Sequence, residues 1–77
     1  MTTIDAFIEE LESNIMAAES GDLTPETRFR DLPWWDSLAV LATLGAFDTC
    51  FGRQLAAEDL KRCETVRDIY DLGASGA

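Results

Sequence analysis

Seventy-seven residues, 47% of them hydrophobic, are enough for one small domain with a modest core and leave no room for separate substrate and cofactor domains. Fifteen Asp and Glu against six Lys and Arg give a net charge of −9, which repels phosphate backbones and anionic membranes. His is absent, removing the commonest general base and the commonest zinc ligand together. Cys50 and Cys63 stand in no metal-binding spacing, and the N-terminal residues show no basic start followed by a long apolar run. The apolar stretch from Leu38 to Phe47 is interrupted by Thr43 and Gly45. These features predict a cytoplasmic monomer with two reduced thiols, no metal site, no nucleic-acid partner and no membrane insertion.

Ile4, Phe7, Ile8, Leu11 and Ile15 recur at three- and four-residue intervals, the spacing of one helical face. A first helix is expected over about residues 3–18, ended by Gly21, with Asp5, Glu9, Glu10 and Glu12 as its solvated side. The first 27 residues hold seven acids and no base. From there to Pro33 turn formers surround isolated apolar anchors at Leu23, Phe29 and Leu32, which reads as a long loop. Within it, Thr24-Pro25-Glu26 has an N-cap residue followed by proline, the pattern of a single helical turn. Arg28 and Arg30 add a small positive patch, expected to pair with the acids of the first helix.

Val40, Leu41, Leu44, Phe47 and Phe51 keep helical spacing between Pro33 and Gly52, predicting a second helix over 37–51 with those residues buried. Gly45 in its middle costs about 1 kcal/mol relative to Ala, which points to a neighbouring helix passing close by. A short third helix is expected over 56–62, with Glu58 and Asp59 early and Lys61 and Arg62 late, matching the helix dipole. Thr65 with Asp68 three residues on forms a capping-box variant, and Val66, Ile69 and Leu72 give a fourth helix over 65–72, ended by Gly73. No strand-type alternation, hairpin dipeptide or repeat is present. The fold class is all-α: a four-helix bundle, one domain over 1–77, with a long loop after the first helix and a short third helix.

Chemistry concentrates at Pro33-Trp34-Trp35-Asp36-Ser37-Leu38, where loop meets second helix. Adjacent side chains of an extended segment point opposite ways, so one indole is expected inside and the other on the surface. Asp36 is placed to cap the helix through the amide of Leu38 or Ala39. Ser37 then opens the helix with its hydroxyl in solvent, where free amides and the positive end of the dipole favour an attached phosphate. From the residues alone, an Asp-Ser pair at a helix start is most often ordinary capping. Without a neighbouring base Ser37 cannot activate itself as a nucleophile, so any modification is the work of another enzyme.

Asp36-Ser37-Leu38 is preceded by Phe29-Arg30-Asp31-Leu32 and followed by an apolar helix ending at Phe51-Gly52, by Leu55, a short third helix and Thr65-Val66. Over about residues 3–72 this pattern resembles the acyl carrier protein family. The resemblance implies an acyl-carrier-like bundle that bears 4'-phosphopantetheine on Ser37, installed from coenzyme A by a phosphopantetheinyl transferase. The terminal thiol of that arm carries acyl groups as thioesters for fatty-acid, polyketide or related specialised biosynthesis. The protein itself is then no enzyme; a loading ligase or synthase and acyl transferases act on it. Asp36 is implied to cap the helix and assist the transferase's metal site, and Leu38 to anchor the turn in the core. Val40, Phe47, Leu55, Leu60, Cys63 and Ile69 become the candidate lining of an acyl pocket, residues that plain core packing explains equally well.

The sequence departs from the family where acids are frequent on the second helix: Ala39, Ala42, Thr49 and Cys50 stand there, leaving Asp36 and Asp48. Partner docking is therefore expected to be more apolar, through Trp34 or Trp35, Ala39 and Ala42, with Asp48 as the remaining charge, and only modestly weakened by salt. The Trp pair hints at a carrier serving a dedicated enzyme. Two other readings stay open: an aminoacyl or peptidyl carrier loaded by an adenylating enzyme, and a helical interaction module that is never modified.

Overall fold

The described residues form four helices, α1 (Ile4–Asn14), α2 (Ser37–Phe51), α3 (Ala57–Arg62) and α4 (Val66–Ala74), with a 3-10 turn at Phe29–Asp31. The computed structural model describes residues 2–16, 18–19 and 21–75. Among these there is no β-strand, only an isolated antiparallel bridge between Arg28 and Thr65; the class is all-α. α1 packs chiefly on α2, and α4 packs against both.

α1, α2 and α4 start at a side-chain cap, whereas Ala56 before α3 makes none. Thr3 accepts from the Ala6 N–H, Asp36 from the Ala39 N–H, and Thr65 from the Asp68 N–H, while the Asp68 carboxylate takes the N–H of Thr65 in return. A bond from the Glu64 N–H, joined by those of the capping box, holds the Asp68 carboxyl below its ordinary value. α2 ends as expected at Gly52, whose left-handed φ of 68° closes the helix.

α1 stops at Asn14, short of the predicted residue 18; residue 17 lies outside the described residues. No glycine ends it. Ile15 turns to an extended backbone (φ −97°, ψ 110°) and its side chain is buried, a conformation that suits a β-branched residue. The Glu12 carboxylate, expected on the solvated face, instead accepts the N–H groups of Gly21 and Leu23 at 3.0 and 3.1 Å, drawing the loop back over the helix end. The helical turn expected at Thr24-Pro25-Glu26 is a hydrogen-bonded turn from Thr24 to Thr27, and the 3-10 turn comes later, where Phe29 is buried.

The long loop is clipped to α4. Val66 N–H donates to Thr27 O, Arg67 N–H to Pro25 O, and the Arg67 guanidinium to Glu26 at 2.9 Å. Arg28 and Arg30 do not pair with α1. Arg28 lies 4.0 Å from Glu64, an exposed pair worth little. Arg30 donates to the carbonyls of Leu60 and Lys61 at the end of α3, where a cation complements the dipole.

The core is aromatic at its centre. Phe7 is fully buried and meets Phe47 edge-on at 6.5 Å, Phe51 at 5.6 Å and Tyr70 at 6.2 Å. Tyr70 donates to Thr2 O, and the Thr2 hydroxyl to Cys50 O, tying the start of the chain to α4 and α2. On α2 the buried residues are Ala39, Thr43, Ala46 and Phe47, while Leu41 is 64% exposed. Of the expected face, Phe47 is buried and Val40, Leu44 and Phe51 pack partly against the core, so the buried side is turned part of the way from it, away from Leu41. Thr43, fully buried, donates its hydroxyl to Ala39 O at 2.8 Å, so no polar atom is stranded.

Neither helical glycine plays the role expected of it. A Cβ on Gly45 would meet nothing within 4 Å, so no helix passes close there. Gly73 does not end α4, which continues to Ala74, and a Cβ on it would overlap the Phe51 ring. Gly45→Ala is accordingly expected to stabilise the protein by about 1 kcal/mol, and Gly73→Ala to destabilise it by about 1–3 kcal/mol. Thermal melts of the two variants check this pair; equal shifts of one sign refute it.

Candidate functional site

A tight turn presents the segment before α2: Trp35 N–H donates to Leu32 O at 3.1 Å, and Pro33 sits inside that turn. Asp36 follows with an extended backbone and caps α2, its carboxylate 3.0 Å from the Ala39 N–H. Ser37 is then the first residue of the helix and is exposed. Among the described residues no group is hydrogen-bonded to its hydroxyl. The amides of Ser37 and Leu38 lie in the first turn, where a helix offers no backbone acceptor, so the position favours negative charge.

The two indoles do not divide into one inside and one outside. Both are half-buried, because the turn keeps their rings together, 6.4 Å apart, in place of the opposed directions of an extended strand. Trp35 lies on Phe29 at 4.8 Å and faces α3. Trp34 borders an open cleft of 270 Å³ between the end of α1 and the first turn of α2, with Ile15, Met16, Asp36, Leu38 and Ala39.

Leu38 does not anchor the turn in the core. It is 74% exposed, since the first turn of α2 buries the next residue, Ala39, instead. Ala39 at 2% exposure is correspondingly withdrawn from the apolar docking surface expected of it. Ala42 is half-buried and Asp48 exposed, so both stay within reach of a partner. Sequence reasoning misplaced Leu38 and missed Leu41 and Met16, the large hydrophobics left in water.

Among the described residues, the clefts toward α3 and α4 divide the candidate pocket residues between them. Val40 and Leu60 border a 130 Å³ cleft with Phe29 and Trp35. Leu55 borders a groove with Asp48, and Cys63 another between α3 and α4. Phe47 and Ile69 are sealed in the core. Both cysteines are free thiols. Burial, with the negative field of Asp68 and Asp59 outweighing Arg30, pushes Cys63 above its ordinary value; burial and Glu10 raise Cys50. Neither is a thiolate at neutral pH, so neither is an activated nucleophile.

No protein-family model matches the chain, and no solved structure matches it significantly. Among the described residues no helix is long and apolar enough to cross a membrane, and no group of three or more His, Cys, Asp or Glu could hold a metal ion.

Proposed function

We propose that this chain is an acyl carrier protein, with an acyl-carrier-like helix bundle and 4'-phosphopantetheine borne on Ser37. The observation that carries the reading is the exposed Ser37 hydroxyl at the head of α2, at the position the family resemblance implies for attachment. The residues fit the group: a hydroxyl open to another enzyme, first-turn amides without backbone acceptors, and the positive end of a helix beside the future phosphodiester.

The arm supplies a terminal thiol on which acyl groups ride as thioesters. The chain's own residues do simpler work. Asp36 fixes the start of α2 and so the direction of the Ser37 Cα–Cβ bond, and by the resemblance assists the transferase's metal site. No His, Lys or Arg adjoins Ser37 in the sequence, so the transferase takes the hydroxyl proton as the Ser37 oxygen bonds to phosphorus and the pyrophosphate bond of coenzyme A breaks, releasing adenosine 3',5'-bisphosphate. Trp34, Trp35, Leu38, Leu41 and Ala42, with Asp48 farther along α2, form the surface offered to the transferase and to loading and acyl-transfer enzymes. Its apolar character favours docking that salt weakens only modestly.

Incubation with coenzyme A and a promiscuous phosphopantetheinyl transferase, followed by intact mass, tests the reading. A gain of one phosphopantetheine is expected. An unchanged mass leaves the unmodified interaction module in its place. Once the arm is on, loading with fatty, aromatic and amino acids separates an acyl carrier from an aminoacyl or peptidyl carrier.

A further inference from the structure

We infer that the cleft between the end of α1 and the first turn of α2 is the resting place of the arm's acyl cargo, a neutral group of short to medium length. This rests on the carrier reading above and adds a site to it. The cleft lies next to the attachment residue: Asp36 and Leu38, on either side of Ser37 in the chain, both line it. Its remaining wall is mostly apolar, Ile15, Met16, Trp34 and Ala39, with the polar Asn14 beside them at the end of α1. Leu38 and Met16 are among the most exposed large hydrophobics of the protein, at 74% and 101%, so an apolar occupant removes from water surface that the fold leaves uncovered.

Charge narrows the occupant. Asp36 stands on the rim and the chain carries −9, which disfavours a free carboxylate and repels a second copy of the same chain. A thioester-linked chain is uncharged. Size narrows it further: 270 Å³ lies just below the ~300–1,000 Å³ of pockets for drug-sized ligands, room for a short chain or a single ring. The cleft toward α3 offers 130 Å³, and Arg30 pins the end of α3 beside it. A group tethered at Ser37 also needs little intrinsic affinity, since the arm keeps it at high local concentration around the cleft.

The test compares the ¹⁵N-labelled protein bearing the bare arm with the same protein bearing a hexanoyl arm, both made with the promiscuous transferase and checked by intact mass. Hexanoylation is expected to shift the Trp34 indole N–H and the amides of Met16 and Leu38. Introducing Met16→Ser, at an exposed position outside the surface offered to the transferase, is expected to abolish the shifts at Trp34 and Leu38 while leaving the mass gain and the far-UV spectrum unchanged. Shifts at Val40, Ala57 and Leu60 instead, or none beyond Ser37, overturn the inference and leave the carrier reading standing. A protein whose mass never changes overturns both.

Discussion

Ser37→Ala is expected to abolish the gain in mass on incubation with coenzyme A and transferase, while the far-UV helical signal and the melting temperature stay where they were. The two halves of this result have different causes. Loading is lost because the hydroxyl oxygen is the only atom of that side chain able to form the phosphoester. The fold survives because the side chain is exposed and Asp36, not Ser37, caps the helix; alanine is also a better helix former. Surface changes of this kind shift stability by less than about 0.5 kcal/mol. Loading that persists in the variant places the attachment on another residue, and a collapsed far-UV signal shows that the serine side chain supports the fold.

Phe47→Ala is expected to destabilise the protein by about 3–5 kcal/mol. The ring is 2% exposed, 6.5 Å from Phe7 and 4.9 Å from Phe51, so its removal leaves a cavity between two other aromatics. For a domain of this size each kcal/mol moves the melting temperature by roughly 4–8 °C, so a fall of more than about 12 °C is expected. Leu41→Ala, on the same helix, is the matched control. Leu41 is mostly in water, and its loss should cost less than about 0.5 kcal/mol. Comparable losses from both substitutions would show that the buried face of α2 has been misplaced.

That contrast also marks what the sequence made legible. The ends of α2 were readable because Asp36 and Gly52 are local punctuation, a cap and a left-handed turn that act within one turn of helix. Thr65 with Asp68 was readable for the same reason. The rotation of α2 was not, because its sequence is apolar nearly all round. Large residues suggested a face through Val40, Leu41, Leu44, Phe47 and Phe51, whereas the fold buries Phe47 together with small ones, Ala39, Thr43 and Ala46, and leaves Leu41 in water; which side is crowded depends on distant segments. α1 ends for a tertiary reason too, since Ile15 turns into the core and Glu12 gathers in the loop. At the candidate site, capping by Asp36 and exposure of Ser37 were foreseen. The exposure of Leu38 and the cleft beside it were not, since both follow from that rotation.

The grip of Arg30 on the last carbonyls of α3 has a dynamic consequence. Six residues make too short a helix to persist by itself, so α3 keeps its shape through buried Leu60 and that one guanidinium. Such a segment can unravel and re-form on its own while the three longer helices remain assembled. Its backbone amides should therefore trade their hydrogens for deuterium well before those at the middle of α2.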